Sequence, residues 1–191
     1  MLKKLSAVTL TTLLLLIPVP VAAAKVEPAG GAVIYGQPDE ASMASRVTAM
    51  ASHLDGNGYW VATANGMVLN FGSAGHFGDM DSVTLNQPVV GMAPTKTGNG
   101  YWLVASDGGI FSFGDAAFYG SAGAVVLNSP IVGMAATNAG RGYWLVAADG
   151  GVFSYGDAVF HGSTGDLVLN RPIVSLLSTI TDAGYWRLAD D

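Results

Sequence analysis

An all-β repeat fold, a small β-propeller, is what this sequence predicts, and three observations predict it. The pair Tyr-Trp recurs at Tyr59-Trp60, Tyr101-Trp102, Tyr143-Trp144 and Tyr185-Trp186, each tryptophan 42 residues after the last. Within a period, runs rich in β-branched and aromatic residues flank Asp107-Gly108-Gly109 and Asp149-Gly150-Gly151, with Asn65-Gly66 a chemical equivalent. Asp-Gly and Asn-Gly supply the positive φ angles that a tight hairpin demands. No window carries a sustained helical pattern, and 26 glycines in 191 residues are too many for one. A period in this range belongs either to propeller blades or to helical repeats. Short strands and hairpin turns choose the blade.

Each strand of the blade has its own signature. The runs VTAMAS, VVGMAPT, IVGMAAT and IVSLLST are built largely of small residues, with Ala49, Gly91, Gly133 and Ser175 at equivalent positions. Small side chains let strands crowd together, so these runs are assigned to the axis. Tyr-Trp opens the second strand, IFSF and VFSY form the third, and AFYG and VFHG the outer fourth. Residues 101 to 140 and 143 to 182 are identical at 24 of 40 positions, so all periods share one plan.

Closure follows from counting. Asp191 aligns with Asp107 and Asp149, which places the end of the sequence at a hairpin turn with two strands of its blade still owed. Two periods before Gly114 and Gly120 lie Gly30 and Gly36, so the N-terminal segment is expected to supply those strands, although Pro28 weakens the first. The prediction is four blades of four strands, with the N-terminal strands closing the last blade and removing open sheet edges.

The first residues read as an export signal. Lys3 and Lys4 precede an apolar run from Leu5 to Ile17, followed by the small residues Ala22, Ala23 and Ala24. That run is shorter than the roughly 20 residues of a membrane span, and Pro18 and Pro20 interrupt it. Residues 1–23 are therefore expected to be a signal peptide and 24–191 the propeller domain, secreted or associated with the cell envelope and outside the membrane after cleavage. The net charge of −6 becomes −8 without the two lysines. An acidic chain with few clustered cations is no nucleic-acid binder. The absence of cysteine excludes disulfides, thiol catalysis and Cys-ligated zinc.

The repeats GYWLVASDGGIFSFGDAAFYGS and GYWLVAADGGVFSYGDAVFHGS resemble arrays found in exported actinobacterial proteins, where similar units accompany cell-wall hydrolases and other extracellular domains. The resemblance covers nearly all of residues 24–191, and it implies a propeller-like fold and an extracellular setting with no catalytic residue set of its own. The hairpin is also similar to the D-x-G turn of Asp-box propellers, but Ser112 stands where an aromatic residue belongs.

Chemistry-bearing patterns are few. No HExxH, P-loop, GxSxG or two-His metal spacing occurs. Topology gathers Asp39, Glu40, Asp79, Asp81, Asp107, Asp149, Asp166 and Asp191 on the face that carries the Asp-Gly hairpins. This is the candidate ligand face, suited to a cationic partner or a weak Ca²⁺ site, with no other cofactor expected. Tyr59, Trp60, Tyr101, Trp102, Tyr143, Trp144, Tyr185 and Trp186 are assigned to packing between blades, against an alternative role as sugar-stacking platforms. The reading that follows is an exported, non-catalytic binding module for a cell-wall polymer, a glycan or an extracellular protein. A small secreted glycan hydrolase or lyase, and a purely structural or oligomerising module, are the alternatives. The positions that depart most from the repeat are Arg46, His53-Leu54-Asp55 and residues 176 to 183.

Overall fold

The structure is a computed structural model that describes residues 24–39 and 43–190. It is all-β, and the described residues contain no helix. Eleven strands run in chain order: β1 Val47–Ser52, β2 Gly58–Thr63, β3 Val68–Gly72, β4 Val89–Pro94, β5 Gly100–Ala105, β6 Ile110–Gly114, β7 Ile131–Ala136, β8 Gly142–Ala147, β9 Val152–Gly156, β10 Ile173–Ser178 and β11 Tyr185–Ala189. They form four antiparallel sheets, β1-β2-β3, β4-β5-β6, β7-β8-β9 and β10-β11, the successive blades of a small propeller.

The small-residue runs are the innermost strands. Each of β1, β4 and β7 touches the corresponding strand of the next blade. Gly91 shows why small residues stand there. A Cβ added to it would lie 2.9 Å from Val104 Cγ1 and 3.4 Å from the Gly133 Cα of the next blade. Every inner strand also carries a register shift after its first residue, so that Thr48, Val90, Val132 and Val174 have no opposite partner. A bulge leaves its extra residue outside the ladder and bends the strand. Here the four unpaired residues converge, with Arg46 and Val47, on a small opening of about 350 Å³ at the hairpin end of the axis.

Blades are joined by a socket that repeats three times. The rings of Trp60, Trp102 and Trp144 pack on Tyr101, Tyr143 and Tyr185 of the following blade, with centroids 5.7 to 5.8 Å apart. The indole Nε1 groups donate to the carbonyls of Gly75, Ala117 and Val159 at 2.7 to 2.8 Å. The hydroxyls of Tyr59, Tyr101, Tyr143 and Tyr185 donate to the carbonyls of Gly36, Gly78, Gly120 and Gly162 at 2.5 to 2.6 Å. Large aromatic area is thereby buried with each polar tip satisfied.

Two details of the blade differ from the sequence-based expectation. The segments around Ala116–Gly120 and Ala158–Gly162 are not fourth strands. Their backbone groups are engaged by side chains of their own blade and of the next: the Trp102 indole donates to the Ala117 carbonyl, the Tyr143 hydroxyl donates to the Gly120 carbonyl, and the Tyr119 N–H donates to the Tyr143 hydroxyl. Gly120, at φ +134°, turns the chain out of any ladder. Nor do residues 24–39 pair with β11, so the last sheet has two strands. The side-chain amide of Gln37 instead accepts from the Val26 N–H and donates to the Val26 carbonyl, occupying both groups a ladder would need. Pro28 has no N–H to offer. The array is consequently open between its first and last blades.

Candidate functional site

The open array changes which aromatic residues are accessible. Trp60, Trp102 and Trp144 are fully buried and hydrogen-bonded, which leaves no ring face for a sugar at those three repeats. Trp186 is 62% exposed, because among the described residues no following blade packs on it. Burial pushes the Tyr101 hydroxyl up to about 12 and raises that of Tyr143 as well. Both act as neutral donors to glycine carbonyls over the physiological range.

On the hairpin face the structure brings acidic residues near one another but gives most of them local work. Asp107 and Asp149 accept from the N–H groups of Gly109 and Gly151 at 2.9 Å, fixing the two hairpin turns. Asp79 accepts from the Asp81 N–H, and Asp81 accepts from the Asn65 side chain at 2.7 Å. Asp149 and Asp166 line one groove of about 340 Å³. Asp39 lies in the segment before the first blade, and Glu40 and Asp191 fall outside the described residues. Among the described residues no three of His, Asp and Glu come together in a way that would hold a metal ion. The acids form a line of turn residues in place of a converging set.

At the opposite end, sequence reasoning singled out His53 and Asp55 and missed their third member, Ser73. The Asp55 carboxylate is bonded to His53 Nδ1 and accepts from the Ser73 hydroxyl, both at 2.8 Å, and also accepts from the Asn57 N–H. The His53 bond, with the Asn57 N–H second, holds the Asp55 carboxyl down at about 2. Ser, His and Asp in contact suggest nucleophilic catalysis, but the geometry opposes it. The Ser73 hydroxyl approaches the same Nδ1 that meets Asp55, at 3.3 Å. Nε2 is lodged against Gly98 of the next blade, so closely that a Cβ there would sit 2.5 Å away. A base must receive the nucleophile's proton on one nitrogen while the acid steadies the other. The cluster is instead the first blade's version of a repeated clasp. In the second blade Thr95 and Thr97 donate to Asp115, and in the third Thr137 donates to Asp157. Ser73 stands one period before Asp115, so the carboxylate has moved from the third strand's end to the preceding turn.

The feature that sequence did not reveal is a cleft of about 540 Å³ at this same end, walled by the C-terminal halves of all four inner strands. Its lining is apolar and methionine-rich, with Met50, Met92 and Met134 one period apart. Leu54 and Ile180 stand exposed at its rim, Ile180 at 85%. Lys96 is the one cation in the lining, and it makes no ion pair among the described residues. Asn138 steadies the rim by donating to the Ile180 carbonyl and, through its N–H, to Asp182.

No known family pattern matches the chain, and no curated protein does. Among solved structures, the chain is similar to the β-propeller domain of Myceliophteria thermophila Cps50 (Swd1), with a TM-score of 0.46 and 10% identity over 76% of this chain. It spans about half, 49%, of that chain's length.

Proposed function

We propose that the chain is an exported, non-catalytic binding module, and that its ligand site is the methionine-lined axial cleft in preference to the acidic hairpin face. The observation that carries this reading is the convergence of all four inner strands on one largely apolar concavity with a single cation, Lys96, that makes no ion pair among the described residues. Binding sites are typically concave, largely apolar and oriented by a few polar groups. Methionine adapts its shape to irregular apolar partners. Among the described residues the lining contains no aromatic side chain on which a sugar ring would stack. That favours an extracellular protein over a cell-wall polymer or glycan, and in chemical terms an aliphatic segment bearing a carboxylate. Export rests on the Lys3-Lys4 and Leu5 to Ile17 pattern, and the extracellular setting on the resemblance of the repeats.

The anionic apolar dye ANS is a suitable probe. Saturable binding of one dye per chain is expected, weakened at least about tenfold by Lys96→Glu and by Ile180→Asp with the melting temperature retained. Displacement should follow addition of short aliphatic peptides with a free C-terminal carboxylate, and not of soluble peptidoglycan fragments. Equal ANS binding by both variants would refute the cleft as the site.

A further inference from the structure

We infer that the second and third blades each bind an internal water molecule between the third strand and the turn that follows it, where the first blade uses a side-chain amide. The residues beside the three buried tryptophans carry the argument. Asn70 is paired with Trp60, Ser112 with Trp102 and Ser154 with Trp144. Residues directly opposite one another in an antiparallel ladder share a face, so all three side chains stand at one repeat position on the side of the blade that meets the next. In the first blade Asn70 Nδ2 donates to the Ala74 carbonyl at 2.9 Å. In the other two, the Ser112 and Ser154 hydroxyl oxygens are buried and have no hydrogen-bond partner among the described residues. The carbonyls of Ala116 and Ala158, the counterparts of Ala74, accept no hydrogen bond among the described residues either.

The turn itself does not differ between the blades. Gly72, Gly114 and Gly156 have φ of +65° to +67°. The N–H groups of Ala74, Ala116 and Ala158 donate to the carbonyls of Phe71, Phe113 and Tyr155 at 3.3 to 3.4 Å. Each serine therefore faces its carbonyl across the gap that Asn70 spans, and its hydroxyl ends one heavy atom short of the asparagine nitrogen. Buried polar groups left in this way are satisfied by ordered water. One water accepts from the serine hydroxyl and donates to the alanine carbonyl. The nearby carboxylates do not make the site a cation site, since Asp115 is engaged by Thr95 and Thr97 and Asp157 by Thr137. One hydroxyl and one carbonyl are too few oxygen ligands for Ca²⁺.

The position gives the water a task in the blade-to-blade socket. Ala116 and Ala158 immediately precede Ala117 and Val159, whose carbonyls accept from the Trp102 and Trp144 indoles. Fixing the first carbonyl of each pair fixes the direction of the second.

A high-resolution crystal structure of the chain should show one ordered water within hydrogen-bond distance of Ser112 Oγ and the Ala116 carbonyl, a second at Ser154 and Ala158, and none between Asn70 and Ala74. Two substitutions interchange the arrangements. Ser112→Asn should expel its water and form the direct bond of the first blade, and Asn70→Ser, which only shortens a side chain, should gain a water at the Ala74 carbonyl. Direct contact between Ser112 Oγ and the Ala116 carbonyl, a site without water at either serine, or an Asn70→Ser variant that acquires none would overturn the inference.

Discussion

Replacing Trp102 by alanine probes the blade-to-blade socket at its most completely buried point. The side chain is 1% exposed, its ring packs on Tyr143, and its Nε1 donates to the Ala117 carbonyl at 2.8 Å. Truncating a buried tryptophan costs about 3–5 kcal/mol in lost burial and cavity. Leaving a part-buried carbonyl without its donor adds about 1 kcal/mol. At roughly 2–4 °C per kcal/mol for a chain of this size, the melting temperature should fall by at least about 8 °C. The same truncation at Trp186 removes a ring that is 62% exposed and makes no hydrogen bond among the described residues. In dilute, monomeric solution it should cost less than about 1 kcal/mol. Urea unfolding of both variants followed by circular dichroism reads the difference. Equal losses at the two positions would refute the socket account, because the repeat places both residues at the same strand position and only the neighbouring blade distinguishes them.

Further outcomes follow from the turns and the titrating groups. Gly114 has φ +67° and a Cβ there would lie 2.1 Å from the Asn99 carbonyl oxygen, so Gly114→Ala should destabilise by at least about 2 kcal/mol, read by thermal melting. Asp55 is held at about 2 against an ordinary 3.8. Its folded value is depressed, so its contribution is present above pH 3.8 and is lost as pH falls through about 2; Asp55→Asn should flatten stability across that window in acid titrations. Tyr101 is raised from 10.0 to about 12, chiefly by burial. Its contribution is complete below pH 10 and is lost as pH rises through about 12, so tyrosinate absorbance should show its ionisation lagging behind that of exposed tyrosines.

Much of the architecture was legible because the repeat enforces it. The 42-residue spacing of Tyr-Trp and the Asp-Gly turns located β2, β5, β8 and β11 with their hairpins, and small residues such as Gly91 marked the axis. What escaped were features set by contacts between periods. The sequence AFYG has strand composition, yet its backbone is claimed by Trp102 and Tyr143, which pattern reading along one chain segment does not see. Residues 24–39 align with the owed strands, but Gln37 engages Val26 first. The acidic residues of the hairpin face were identified by topology, whereas their use as turn anchors depends on Asx geometry at Asp107 and Asp149. Ser73 could have been found by aligning it with Asp115 and Asp157. The axial cleft had no comparable signal, since Met50, Met92 and Met134 read as ordinary strand residues until four blades are placed around one axis.

Acrylamide quenching of tryptophan fluorescence in dilute, monomeric solution tests the central claim most directly, because the four indoles occupy one repeat position and differ only in whether a following blade covers them. The open four-blade array predicts that one indole in four is accessible, and that Trp186→Phe removes the quenchable fraction while Trp102→Phe leaves it. Uniform quenching of all four, or a quenchable fraction unchanged by Trp186→Phe, would contradict it.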